Sequence, residues 1–124
     1  MGRVLAYKLG ADGKLPAASA VSRAAPEPPE LVATDSQLRR GAAIFWERCS
    51  WCHGIAAKGT GSGPDLRYAG PETHQSWNAI MLRRAYLGKG MPNFATVLSE
   101  QDAQAVQAYV VQQAQLLLES SGSE

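Results

Sequence analysis

The sequence predicts an all-α domain, and three observations carry that prediction. Segments near residues 35–48, 74–87 and 99–118 place apolar side chains at helical spacing. The pentapeptide Cys49-Ser50-Trp51-Cys52-His53 closes the first of these segments. Between them the chain is rich in Gly, Pro and Ala, and its one strand-like stretch, Val4–Leu9, has no partner to pair with.

The pentapeptide carries the chemistry. Two thiols separated by two residues, with a histidine directly after, can clamp a planar cofactor from its edge. Each thiol can form a thioether to one vinyl group of a haem, and the imidazole then falls beneath the iron. A bare C-x-x-C also suits a thioredoxin-like redox pair or half of a zinc site. The redox pair follows a strand in a βαβ unit, and no such pattern precedes Cys49. A zinc clip needs two further ligands, and beyond His53 the chain offers only the isolated His74. Haem is the preferred reading, with the zinc clip and the dithiol as its alternatives.

Length and charge set the bounds. At 124 residues there is room for one small domain with tails, and a haem would add a large apolar plate to a thin core. A net charge of +1 argues against a nucleic-acid binder. Eight basic residues lie between Arg39 and Lys89 against only Glu47, Asp65 and Glu72, while every charge beyond Met91 is acidic. Such asymmetry can steer a partner, or simply solvate a face. The haem reading uses both cysteines, so no disulfide remains. No stretch is long enough to span a membrane, and the N-terminus lacks the apolar run of a signal peptide.

In chain order, residues 1–14 hold the strand-like Val4–Leu9 and a turn at Ala11-Asp12-Gly13-Lys14, and are expected to be the residue of an upstream domain. Residues 15–33, with Pro16, Pro26, Pro28 and Pro29, are expected to be an extended linker, the alternative being a strap along the domain surface. The domain proper is expected over 34–118 and a polar tail over 119–124. The first helix should run from Asp35 to Arg48, capped by Thr34 or Asp35, with Leu38, Gly41, Ala42 and Phe45 on one face. Gly41 is unfavourable inside a helix by up to about 1 kcal/mol, which points to close approach of another helix. Gly54–Gly63 reads as a flexible loop; its glycines lack the strand, helix and Lys-Ser/Thr of a phosphate loop. A helix over His74–Leu87 should stop at Gly88-Lys89-Gly90, before the loop Met91-Pro92-Asn93-Phe94. Ser99 and Asp102 mark the start of the last helix, whose stripe is Val106, Tyr109 and Val110.

These features resemble a class I c-type cytochrome over about residues 35 to 118. The resemblance rests on Gly41 and Phe45 ahead of Cys49-x-x-Cys52-His53, then Gly63-Pro64-Asp65-Leu66, Gly90-Met91-Pro92, and a final helix with Tyr109. It implies the cytochrome c fold, three to five helices around one covalent haem c, with the first and last helices crossing at the glycine and the paired aromatics. It implies that the Pro64 carbonyl accepts from the His53 ring, fixing its orientation. It also implies export to a bacterial periplasm, so that Met1 is expected not to be the natural start.

His53 is then the proximal ligand. Candidates for the sixth position are Met91, Met81, His74 or an open site. Met81 sits mid-helix, where packing is expected. His74 lies at a helix start, where an exposed or capping role is expected. Met91 is held in a loop by Pro92, and a thioether on a rigid backbone suits an iron that changes charge with little rearrangement, so Met91 is preferred. Arg67, Tyr68 and Trp77 are the candidate donors to the haem propionates, Trp77 being equally suited to the core.

A narrower resemblance is to the quinohaemoprotein alcohol dehydrogenases, in which a PQQ-containing β-propeller precedes a C-terminal cytochrome c domain. Arg3–Leu9 with the proline-rich linker, Gly88–Phe94 and Leu98-Ser99…Asp102…Ala105…Tyr109 carry it. It implies an electron-transfer domain without catalysis of its own, PQQ only upstream, and electrons arriving from a fused or docked quinoprotein alcohol or sugar dehydrogenase. The quinone pool, an oxidase or another cytochrome would accept them. A free-standing or oxidase-linked cytochrome, or a ligand-binding haem protein with an open sixth site, are the alternatives.

Overall fold

The N-terminal cap of the first helix is written locally. Thr34 accepts the Gln37 amide at 3.2 Å, and the Gln37 side chain accepts the Thr34 amide at 2.8 Å, so orphan N–H groups are met at the helix start. The computed structural model, which describes residues 6, 8–10, 12–14 and 23–121, places helix α1 at Asp35–Ile44. The helical path does not stop at Arg48 as expected. It passes through a wide π-type turn at Phe45–Cys49 and continues as α2, Ser50–His53, ending where Gly54 turns to φ 73°. The expected helix over His74–Leu87 is instead two short ones: α3 at Pro71–Gln75 and α4 at Trp77–Leu82, broken at Ser76. The Ala79 carbonyl accepts from both Arg83 and Ala85, both at 3.1 Å. That closes α4 with Arg84 in the left-handed region at φ 64°, ahead of the glycines expected to end it. The last helix, α5, spans Glu100–Ser121 and so takes in residues 119–121 of the expected tail. Ser99 and Asp102 exchange hydrogen bonds of 3.1 and 3.2 Å at its start.

The main helix–helix contact is α1 against α5. Gly41 lies directly on the Ala105 carbonyl, where any Cβ would collide. One turn on, the Phe45 and Tyr109 rings meet at 5.2 Å and 48°, and on the other side Arg40 pairs with Asp102 at 3.0 Å. The helix penalty of Gly41 is thus offset by the approach it permits. Ile44, Phe45, Cys49, Trp77, Met81, Leu98, Val106 and Val110 form the core, with Met91, Phe94 and Tyr109 packed on it.

Residues 23–33 have no regular structure, yet Ala25, Pro26, Pro28 and Leu31 are half-buried. The Arg23 guanidinium sits 5.3 Å above the Tyr68 ring. This part of the expected linker therefore lies along the domain. Val4, Leu5 and Tyr7 of the expected strand Val4–Leu9 fall outside the described residues, and Ala6, Lys8 and Leu9 are not in a strand. No helix among the described residues is long and apolar enough to cross a membrane.

Candidate haem site

The π-type turn delivers both cysteines and the histidine at the end of the first helical run. Cys49 is buried at 5 % exposure, Cys52 is exposed, and the two form no disulfide with each other. Burial pushes the Cys49 thiol up to about 11, although the Arg48 charge acts against it. His53 is buried, and its Nδ1 stands 3.0 Å from the Pro64 carbonyl oxygen. With Nδ1–H donating there, the ring presents Nε2 as an unprotonated donor atom on its opposite side.

The segment after the pentapeptide, expected as a flexible loop, is bonded back onto it. The Gly59 amide donates to the His53 carbonyl at 2.6 Å. Thr60 Oγ1 donates to the Cys52 carbonyl at 2.7 Å and meets Ser62 Oγ at the same distance. Gly63 lies against that same carbonyl so closely that a Cβ would collide with it. To close this ring the chain places Ala56 and Ala57 at φ 53° and 61°, a region that L-residues other than Asn and Asp seldom visit. The backbone under the cysteines is held from below. Thr60, Ser62 and Gly63 were not among the sequence-derived site residues; a signal existed only in Gly63, as the first residue of Gly-Pro-Asp-Leu.

Met91 is half-buried and packs on the core cluster that includes Cys49. Its amide donates to the Tyr86 carbonyl at 3.1 Å, just after Gly90 turns at φ 87°. Met81 is 2 % exposed in that core, as its helical position suggested, and its carbonyl accepts from Phe94 at 2.9 Å. Arg67 forms a fork on Asp65, with bonds of 2.9 and 2.7 Å. Burial pushes the Asp65 carboxyl up, but the Arg67 side-chain and backbone hydrogen bonds together outweigh this and hold it low. Tyr68 is half-buried beneath Arg23.

Two expectations change. Trp77 is 5 % exposed and its N–H donates to the Ala103 carbonyl at 2.8 Å. The indole's single donor is spent inside the protein, so of its two readings the geometry describes the core one. His74 neither caps nor faces water: it lies in the last turn of α3, buried, stacked on Trp77 at 5.8 Å, its carbonyl accepting from Gln107 at 2.9 Å. Its burial pulls the imidazole below its ordinary value. Among the described residues no cluster of three or more His, Cys, Asp or Glu side chains is placed to hold a metal ion, which leaves the zinc clip without its ligands.

Two thiols, an imidazole with one nitrogen anchored, and a thioether on the adjoining core make a donor set of the kind that holds a covalent haem. That site, on a core clasped by crossing first and last helices, defines the c-type cytochromes. Residues 36–110 match the family described as cytochrome C oxidase, cbb3-type, subunit III, and the chain belongs to that family of c-type cytochrome domains. Haem c is its cofactor.

Among curated proteins it is similar to the quinohemoprotein alcohol dehydrogenase ADH-IIG of Pseudomonas putida, 35 % identical over 112 residues, or 90 % of this chain and 15 % of that protein. It is also similar to ADH IIB of the same organism, 29 % identical over 88 % of this chain and 16 % of that one. Lupanine 17-hydroxylase [cytochrome c] of a Pseudomonas species is 33 % identical over 90 % of this chain and 16 % of that protein. The solved structure of ADHIIG from Pseudomonas putida HK5 superposes with a TM-score of 0.74 and 32 % identity, covering 81 % of this chain and 14 % of that one. The chain thus spans about a seventh of the length of these relatives.

Proposed function

We propose that this domain is a one-electron carrier: it takes electrons from a PQQ-dependent dehydrogenase portion of a longer polypeptide and passes them to a respiratory acceptor. The observation that carries the reading is the pentapeptide held rigid, with both cysteines on one short helical run and the imidazole Nδ1 3.0 Å from Pro64. Bound haem supplies the ferric–ferrous couple. Everything else falls to the chain. Cys49 and Cys52 would hold the group through thioethers, His53, oriented by Pro64, would give the iron a nitrogen ligand, and Met91 would give it a sulfur ligand. Arg67 and Tyr68 lie on one short turn as donors toward the propionates, Arg67 keeping part of its guanidinium free of Asp65.

With His53 and Met91 both bound to the iron, no substrate would reach it, so the oxidation of alcohol would fall to the dehydrogenase portion. Little rearrangement accompanies the change of charge, because the Cys52 and His53 carbonyls are already bonded to the segment below them. The relatives at 35 and 29 % identity are quinohemoprotein alcohol dehydrogenases, which supports a quinoprotein donor joined through residues 15–33. A bacterial periplasm is the compartment where such a chain works, and the quinone pool, an oxidase or another cytochrome is the class of acceptor.

The test is spectroscopic. Acid–acetone should leave the pigment on the polypeptide. In the haem-loaded protein Met91→Ala should remove the weak long-wavelength thioether-to-iron band and lower the reduction potential. Met81→Ala should keep the band and destabilise the fold by about 2–5 kcal/mol, the usual effect of emptying a core methionine site. If Met81→Ala removes the band and Met91→Ala leaves it, the ligand assignment is wrong.

A further inference from the structure

Beside the haem site lies a surface that the proposed function does not use. Trp46, Trp51 and Ile55 are exposed at 64, 86 and 69 %. Together with Glu47 and Ser50 they line a groove of about 500 Å³. All five residues come from one continuous run, from the π-type turn through the pentapeptide to the strained turn after it. Its geometry is firm: Ser50 Oγ donates to the Trp46 carbonyl at 2.6 Å, and Gly54 is locked against Gly59. Two tryptophans and an isoleucine side by side in water are unusual on a surface that stays wet, and Trp is enriched where interfaces carry their affinity.

We infer that this groove is the face on which the dehydrogenase portion of the same polypeptide docks. The inference rests on the proposed function above, and three observations choose the occupant. First, the relatives carry roughly six-sevenths of their length outside the matched region, so in them a large body of chain lies next to a domain like this one. Residues 1–22 could span about 70 Å when extended, ample to bring such a body to any face.

Second, the groove carries little net charge to recruit a transient partner. Its one charged residue, Glu47, is paired with Arg48 at 3.0 Å. Weak redox encounters use small contact areas and electrostatic steering, whereas an apolar aromatic face suits a lasting contact. Third, Trp51 lies between the two haem-binding cysteines, so a domain seated there stands at the thioether edge of the macrocycle. The described strap residues take no part in the groove.

The experiment is oxidative footprinting of tryptophan in two haem-loaded proteins, this 124-residue chain and the chain extended through its dehydrogenase portion. Trp46 and Trp51 should be oxidised readily in the short chain and several-fold more slowly in the long one, with the buried Trp77 slow in both. In the long chain, Trp46→Ser together with Trp51→Ser should leave the haem spectrum intact, restore Ile55 to solvent and slow haem reduction by the dehydrogenase several-fold.

Equal oxidation of both tryptophans in the two proteins, while haem is still reduced by substrate, would overturn the docking face and leave the proposed function standing. Haem that is never reduced by the dehydrogenase portion would overturn the proposed function itself. Protection that depends on the concentration of the short chain alone would assign the groove to a second copy and overturn the inference. Protection that appears in the long chain only after a soluble acceptor protein is added would assign it to that acceptor, and overturn it likewise.

Discussion

A single missing methyl group sets how closely α1 and α5 approach at Gly41. Its Cβ would strike the Ala105 carbonyl, which is backbone and cannot rotate aside. Gly41→Ala should therefore destabilise the haem-loaded protein by about 1–3 kcal/mol or more in denaturant unfolding, despite Ala being the better helix former. Gly88→Ala is the control. A Cβ there meets nothing within 4 Å, so its effect should stay within about 0.5 kcal/mol. Equal effects at the two positions would remove the close approach as the reason for Gly41. Thr60 is a gentler case. Thr60→Ala loses the bond to the Cys52 carbonyl and should cost about 0.5–1.5 kcal/mol, and Thr60→Ser should restore it.

At the scale of an element, α5 begins with a carboxylate that does two tasks. Asp102 accepts from Arg40, which ties α5 to α1, and from Ser99, which caps the helix. Chiefly through the Arg40 bond, and then the Ser99 amide, its carboxyl is held below the ordinary carboxylate value. A folded value below the unfolded one means that this stabilisation is fully present above the unfolded value, about 3.9. It is lost as the pH falls through the lower folded value. Acid melting curves of the wild type should thus drop in that window, and Asp102→Asn should flatten that part of the drop. An unchanged slope in the variant would place the acid sensitivity elsewhere, with Asp65 the next carboxylate to test.

The caps of α1 and α5 were legible because a capping box is a contact three residues long. The pentapeptide was legible because its spacing is its chemistry, and Gly41 because its oddness points to a neighbour. The break at Ser76 was not, since His74, Trp77, Ile80 and Met81 keep helical spacing across it, and what fixes Trp77 is a carbonyl 26 residues away. Nor were the left-handed alanines at 56 and 57, because alanine carries no signal for that geometry and ring closure onto His53 and Cys52 imposes it. His74 was misread for the same reason: α5 buries it, and nothing near it in sequence says so.

For the whole molecule, the strap and the clasp give different expectations. Deleting residues 1–14 should leave the haem spectrum and melting temperature almost unchanged. Deleting through residue 33 removes the Arg23–Tyr68 contact and uncovers the surface beneath Leu31, so melting should fall while the spectrum holds. A large loss on the shorter deletion would make the N-terminal segment part of this domain and weaken the case for an upstream one. The clasp also imposes a timetable. Its two halves are far apart in the chain, and α5 is synthesised well after α1. Cys49, once the clasp is shut, is 5 % exposed. Attachment at that sulfur is therefore expected to be easier before the core has packed around it. A chain truncated before Ser99 should accordingly accept haem at both cysteines as readily as the intact one, yet remain protease-sensitive afterwards, because the step that narrows the window for attachment is the arrival of the C-terminal helix.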